Sequence, residues 1–303
     1  MHLTLRQLQM IVAIADRRSL SRAAQAMNVA QPSLTRSLRE AEAGLGVKLF
    51  ERTPRGMAPT IFGEVLVRHG KAVDAELRGA TDEIQALNRG GAGRVAIGVT
   101  LLGTAALVPR AIAAFSVKWP TVTVQLIHAR DNADAATRLL SGDLDLAVRP
   151  SPEHGPEEGL IEDYLFTSQL GVWARGNHPL FRRGAVALQD LLDFGWVLPV
   201  KSVAPRRQLD NVFRQRGLIP PRAMVETASL EAIRALLLQT DWLTLLPDFV
   251  FRDEGVSEPI KPLPVALPGA QRPIGVSRRA SGTLSPAARA LLMHIKQAAA
   301  SFA

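Results

Sequence analysis

Ser19-Leu20-Ser21-Arg22-Ala23-Ala24, followed after a short gap by Gln31-Pro32-Ser33-Leu34-Thr35-Arg36-Ser37-Leu38-Arg39, decides how the first part of the chain folds. Ser19 is placed to cap a helix whose inner face is Leu20, Ala23, Ala24 and Met27. Asn28-Val29-Ala30 makes a tight turn. Pro32 suits the first turn of the next helix, where a missing N–H costs nothing. Leu34, Leu38 and Ala41 form that helix's apolar stripe, and Gly44 or Gly46 ends it. Upstream, Leu5, Leu8, Ile11, Val12 and Ala15 recur at helical spacing. Three helices joined by such a turn have the shape of a winged helix-turn-helix, whose second helix braces the third in a major groove.

With Leu34 and Leu38 facing inward, Gln31, Pro32, Ser33, Thr35, Arg36 and Arg39 are left on the outer face. Arg36 and Arg39 suit paired bonds to guanine, and Gln31 suits adenine. Ser33 and Thr35 suit phosphates or thymine methyls. Between Phe50 and Thr60, two prolines and a glycine forbid a continuous helix, so the segment reads as a hairpin-like loop. Its Arg52, Thr53 and Arg55 are placed to lay a cation into a minor groove. Each residue also has a plain structural reading: Arg39 pairs with Glu42, Arg52 pairs with Glu51 or Glu40, and Arg36 is a solvated cation. Charge favours the arrangement. Residues 1–60 hold nine basic and four acidic side chains, so they carry +5 of the chain's net +8. That bias points to a polyanion partner at this end.

Thr60 is placed to cap a long helix running to about Asn88. Phe62, Leu66, His69, Val73, Leu77, Ala80, Ile84 and Leu87 step by three or four along it, close to a heptad seam. A second copy of the helix is the expected partner for that seam, and packing onto its own N-terminal domain is the alternative. Gly90-Gly91-Ala92-Gly93 breaks every pattern and marks the domain boundary. The expected organisation is a DNA-binding domain over 1–60, a linker helix over 61–89, a hinge over 90–93 and a second domain over 94–303.

Beyond Arg94, short apolar strands alternate with helices. Strands are expected at Val95–Thr100, Val122–Ile127, Leu144–Val148, Gly171–Ala174, Trp196–Leu198, Met224–Glu226, Leu243–Leu246 and Ile274–Val276. Helices are expected at Ala105–Lys118, Asn132–Leu140, Arg206–Arg216, Leu230–Leu238 and Pro286–Ala299. This alternation implies α/β architecture with parallel sheets, either one large sheet or two lobes.

Several function classes drop out. The chain has no cysteine, which removes disulfides, thiol nucleophiles and thiolate metal sites. Its six histidines show no metal-binding helical spacing, and no Gly-x-Ser-x-Gly elbow occurs. Asp143 and Asp145 lie two apart on a strand edge, where carboxylates more often cap than catalyse. The expectation is a non-enzyme with no cofactor and no metal. No apolar run reaches the ~18 residues that span a bilayer, and the start lacks a secretory pattern, so no membrane partner and a cytoplasmic location are expected.

Residues 5–63 resemble the DNA-binding domain of the LysR-type transcriptional regulators. The residues that carry the likeness are Leu5-Arg6-Gln7-Leu8, Ser19-Leu20-Ser21-Arg22-Ala23-Ala24, Gln31-Pro32-Ser33-Leu34-Thr35, Leu45-Gly46-Val47-Lys48-Leu49-Phe50-Glu51-Arg52 and Thr60-Ile61-Phe62-Gly63. Ala30 departs from the serine usual before Gln-Pro. Looser landmarks follow at Ser141-Gly142-Asp143-Leu144-Asp145-Leu146-Ala147-Val148 and Val225-Glu226-Thr227-Ala228-Ser229-Leu230. The resemblance implies an all-α-rich winged helix-turn-helix domain, a dimerising linker helix, and an effector domain of two Rossmann-like lobes resembling a periplasmic binding protein. Lobe I is then about 94–165 and 268–303, and lobe II about 166–267. It also implies double-stranded promoter DNA as partner, self-association through the linker helix as far as a homotetramer, and a small-molecule effector in the interlobe cleft.

In open α/β sheets a ligand sits beyond the carboxyl ends of the strands, where helix N-termini favour anions. Thr100, Thr104, His128, Arg149, Lys201, Ser202 and Thr227 follow such strand ends and are the expected effector-binding residues. Their mix of hydroxyls and cations suits a small organic acid. Two of them carry rival readings: Arg149 as a solvated loop residue, His128 as a satisfied interlobe histidine.

Overall fold

The computed structural model describes residues 3–89, 93–100, 107–152, 154–250, 259–269 and 271–302. Helix α1 (Leu5–Arg17) starts on a capping box. Thr4 Oγ1 accepts the Gln7 amide at 3.2 Å, and the Gln7 side chain accepts the Thr4 amide at 3.0 Å. Helix α2 (Leu20–Ala26) is capped by Ser19. Helix α3 (Gln31–Leu45) starts at Ala30 with no side-chain cap and ends on Gly46 in a left-handed conformation. Met10, Ile11, Ile14, Ala23, Ala24, Leu34, Leu38 and Leu49 close one small core.

The hairpin-like loop expected after α3 is a two-stranded antiparallel wing, β1 (Phe50–Thr53) and β2 (Gly56–Pro59). It is pinned beneath α1, where the Met57 amide donates to the Arg18 carbonyl at 2.9 Å. Gly56 has φ +107°, and a Cβ there would lie 2.3 Å from that carbonyl oxygen, so only glycine fits.

Helix α4 (Ile61–Arg89) splits the seam read from the sequence. Leu66 packs onto the N-terminal core. The same side of the helix meets α1 closely: a Cβ on Gly70 would lie 2.6 Å from Val12 Cγ2, and Gln9 donates to Asp74 at 3.1 Å. Phe62, His69, Val73, Leu77, Ala80 and Ile84 remain exposed. The side chain of Leu87 and residues 90–92 of the expected hinge lie outside the described residues.

The remainder is an α/β unit. Its elements are β3 (Gly93–Val99), α5 (Leu107–Lys118), β4 (Val122–His128), α6 (Asn132–Leu140), β5 (Leu146–Pro150), β6 (Leu160–Arg175), β7 (Trp196–Leu198), α7 (Ala204–Gln215), β8 (Ala223–Glu226), α8 (Leu230–Gln239), β9 (Leu243–Pro247), β10 (Ile260–Pro262), β11 (Gln271–Arg279) and α9 (Pro286–Ala299). The strand order is β4-β3-β5-β11-β6-β9-β7-β8, with β10 on β6. Two parallel groups, β4-β3-β5 and β9-β7-β8, form the two lobes. Between them β6 and β11 run antiparallel to each other and to their neighbours, which corrects the all-parallel expectation.

The sequence showed only the Gly171–Ala174 end of β6. The strand is long because it leaves lobe I beside β11 and enters lobe II beside β9 and β10, so its burial pattern changes along its length and no single period describes it. Among the described residues no helix is long and apolar enough to cross a membrane.

Candidate nucleic-acid interface and ligand cleft

The first turn of α3 is open to solvent: Gln31, Pro32 and Ser33 are exposed, as are Arg36 and Arg39 further along. Among the described residues none of Arg36, Arg39, Arg52 and Arg55 forms an ion pair, so all four charges point outward unneutralised. Arg52 lies on wing strand β1 and Arg55 in the wing turn, and both are exposed. Two expected contact residues are turned to local work instead. Thr35 is half-buried, and its hydroxyl donates to the Gln31 carbonyl at 3.0 Å. The Thr53 hydroxyl donates to the Gly56 carbonyl at 2.9 Å and accepts the Arg55 amide at 3.2 Å, which closes the wing turn. Gln31 is held ready by Ser21, whose hydroxyl donates to Gln31 Oε1 at 3.1 Å.

The alternative partner of Arg39, Glu42, is turned the other way. Glu42 is buried, and its carboxylate accepts the Leu49 amide at 2.9 Å and the Lys48 ammonium at 2.7 Å. Burial pushes this carboxyl up, but bonds from Lys48, Leu49 and Phe50 and the Lys48 charge outweigh it, and the pKa falls below its ordinary value. Glu42 thus ties the end of α3 to the wing, a role the sequence did not reveal. Glu42→Ala strands the buried Leu49 amide and should cost about 1–3 kcal/mol. The four tryptophans, at 119, 173, 196 and 242, all lie beyond the linker helix. The loss should therefore appear in the helical circular dichroism on urea unfolding and leave tryptophan fluorescence unmoved; coincident wild-type curves by both probes would reject the tie.

In the α/β unit the expected ligand residues form two groups. Thr100 and His128 leave adjacent strands of lobe I, where Val99 pairs with His128. Thr100 Oγ1 is buried with no hydrogen-bond partner among the described residues. Lys201, Ser202 and Thr227 leave β7 and β8 of lobe II; Lys201 and Ser202 are exposed, and the Thr227 amide donates to the Leu198 carbonyl at 3.0 Å. A residue missed in the sequence stands beside the lobe II group. Glu231, in the first turn of α8, has its carboxyl held below the ordinary value by its own backbone amide, by the Ser229 hydroxyl at 2.8 Å and by the charge of His128. A Ser-x-Glu start on a predicted helix was the available signal. Thr104 lies outside the described residues.

Arg149 is a correction. It is neither a cleft cation nor a solvated loop residue, because its side chain is completely buried in β5. Its guanidinium donates to Ser277 Oγ at 2.9 Å, to the Asn132 carbonyl at 3.1 Å and to both oxygens of Glu157, with Glu162 at 3.7 Å. These bonds take four of its five N–H donors, and the fully buried side chain has no surface open to a ligand.

A cavity of about 610 Å³ sits elsewhere, between Gln169–Trp173 of β6, Asp248, and the segment from Pro262 to Gln271. None of the expected ligand residues lines it. Among the described residues no cluster of His, Asp or Glu is built to hold a metal.

Residues 5–64 match the model of the bacterial regulatory helix-turn-helix protein, lysR family, and residues 88–300 match the LysR substrate binding domain. The chain is 32% identical to the HTH-type transcriptional regulator GalR of Pseudomonas putida, over 96% of this chain and 73% of that one. It is also 32% identical to the SDS degradation transcriptional activation protein of a Pseudomonas species, over 95% and 94%. A full-length OxyR from Pseudomonas aeruginosa superposes with TM-score 0.71 at 24% identity, covering 99% of this chain and 95% of that one. Full-length CbnR solved with its target DNA superposes at 0.63 and 21% identity, covering 98% and 100%.

Proposed function

This chain belongs to the LysR family of transcriptional regulators, and from that premise we propose that it binds promoter DNA as a homo-oligomer and changes its grip when a small organic acid fills the interlobe cleft. The supporting observation is the exposed start of α3 together with the exposed wing, with four outward arginines that no carboxylate neutralises among the described residues. Gln31, Ser33, Arg36 and Arg39 read base edges and phosphates, while Arg52 and Arg55 hold the neighbouring backbone or minor groove. The work is done in the cytoplasm on DNA, without a cofactor and without covalent chemistry. Footprinting on the chain's own upstream region tests this. A discrete protected site that survives near physiological salt is expected, whereas sequence-blind binding that disappears there would overturn the reading.

The exposed apolar seam of α4 supports the dimer. Val73, Leu77 and Ile84 are 38, 46 and 59% exposed and recur along one face of the helix, so they form a contiguous apolar strip rather than scattered single residues. Leu77→Asp should lower the oligomer mass in light scattering at unchanged helix content, and an unchanged mass would reject the seam. In the cleft, Thr100, His128, Lys201, Ser202 and Thr227 hold the effector, which requires different affinities in two quaternary arrangements. Thr100→Val should weaken calorimetric binding of small aromatic or sugar acids about tenfold, the cost of one lost hydrogen bond to a charged group, while DNA affinity without ligand stays unchanged. Equal binding by both proteins moves the site elsewhere.

A further inference from the structure

Helix α4 carries a second stripe opposite its apolar seam. Lys71, Ala75 and Arg78 share one face by their spacing, about 180° around the helix from Val73, Leu77 and Ile84. Lys71 Nζ stands 3.1 Å from Asp16 Oδ1, at the end of α1, and 3.6 Å from Asp143 Oδ2, in the turn between α6 and β5. The Ser141 hydroxyl donates to the same Asp143 oxygen at 2.8 Å and fixes its position. One ammonium thus ties the DNA-binding domain, the linker helix and lobe I together.

The backbones meet as closely as the charges. Gly142 has φ +73°, and a Cβ on it would lie 2.2 Å from the Ala75 Cβ and 3.3 Å from the Lys71 carbonyl oxygen. Arg78 reaches the Gly142 carbonyl at 3.5 Å. Beside this contact Arg279, at the end of β11, meets Glu76 at 3.5 Å, and a Cβ on Gly282 would strike the Glu76 carboxylate. Both lobe I segments adjoin strands of the sheet: the 141–143 turn runs into β5, whose Val148 carbonyl accepts the Thr100 amide at 3.4 Å, and residues 279–282 follow β11, which pairs with β5 from Ser277–Ala147 to Ile274–Pro150.

We infer that this junction is the coupling device of the chain: Lys71, seated between Asp16 and Asp143 over Gly142, fixes the direction in which the DNA-binding domain leaves lobe I, and movement of β5 and β11 at the cleft redirects it. The inference rests on the DNA-binding reading above. Its geometry explains why a single cation with two carboxylates is used. A lone pair would join two bodies, and an apolar contact would join them without orienting either.

The test uses the full-length oligomer and fragments of its own upstream region that carry one half-site or two. Neither Lys71 nor Gly142 lies on the base-reading face, so one-site affinity should stay at wild type in both single variants, and the two-site to one-site ratio normalises any change of charge in the triple; that arm reports on DNA binding alone. Two-site affinity depends on how the two domains are aimed. Lys71→Met removes the charge, and Gly142→Ala pushes α4 off lobe I without changing any charge. Each should lower the two-site to one-site affinity ratio by about fivefold or more, the size of a modest coupling between sites. The inverted triple Asp16→Lys/Lys71→Glu/Asp143→Lys, which rebuilds both pairs with reversed sign, should restore the ratio. Amide exchange should rise together at 71–78 and 141–143 in Lys71→Met. A ratio unchanged in both single variants overturns the device, and so does a Lys71→Met loss that the triple fails to restore.

Discussion

Arg149→Met is expected to destabilise the effector domain by about 3–5 kcal/mol, because removing one member of a buried charge cluster leaves its partners uncompensated. Methionine fills much of the same space, so the loss is electrostatic rather than a cavity. Glu157 and Glu162 would face each other and Ser277 with no cation between them. The tryptophans sit in this domain, so urea unfolding followed by their fluorescence reads the change directly. A shift smaller than about 1 kcal/mol would mean that water enters and solvates the carboxylates.

The same cluster predicts an acid response. Hydrogen bonding from Arg149 holds the Glu157 carboxyl below its ordinary value of 4.5, against the opposing push of burial. A group with a depressed folded pKa stabilises the fold above its unfolded pKa and loses that contribution as pH falls through the folded value. Wild-type stability should therefore decline as pH drops below 4.5. The Arg149→Met curve should be flatter over that range. Parallel curves would show that Glu157 draws its low pKa from another source.

Arg36→Ala should cost about 1–3 kcal/mol in specific DNA binding, or roughly fivefold to 150-fold. The side chain is exposed on α3 and has no ion-pair partner among the described residues, so nothing in the fold depends on it and stability should not move. The pattern of the loss identifies the contact. A base contact loses discrimination at one position of the site and leaves the salt slope nearly unchanged. A phosphate contact weakens all sequences alike and lowers the salt slope by about one. Binding measured on the footprinted site and its single-base variants separates these outcomes, and full affinity in every case would take α3 out of the groove.

Local signals made much of this protein legible. The Ser19 cap, the Pro32 helix start, the glycine stop and the Gly56 turn each act through a few neighbouring residues, so helix-turn-helix and wing followed from the letters alone. The same holds for Asn132–Leu140 and Trp196–Leu198, whose bounds match the structure. Residues with two possible partners were not legible in this way. Arg149 looked like a cation at a strand end, and Glu42 looked like the surface mate of Arg39. Both are buried ties, because their partners come from segments that only folding brings near.

Sequence by itself determined the helix-turn-helix, the outward arginines, the long amphipathic helix and the alternating α/β character, since each is written in spacings shorter than one element. Tertiary structure alone decided that β6 and β11 run antiparallel between the lobes, that Arg149 is buried among Ser277, Glu157 and Glu162, and that Lys71 joins Asp16 to Asp143. Most of those pairs lie tens to more than a hundred positions apart, and a Coulomb or hydrogen-bond partner is chosen by distance in space, which one-dimensional periodicity does not encode.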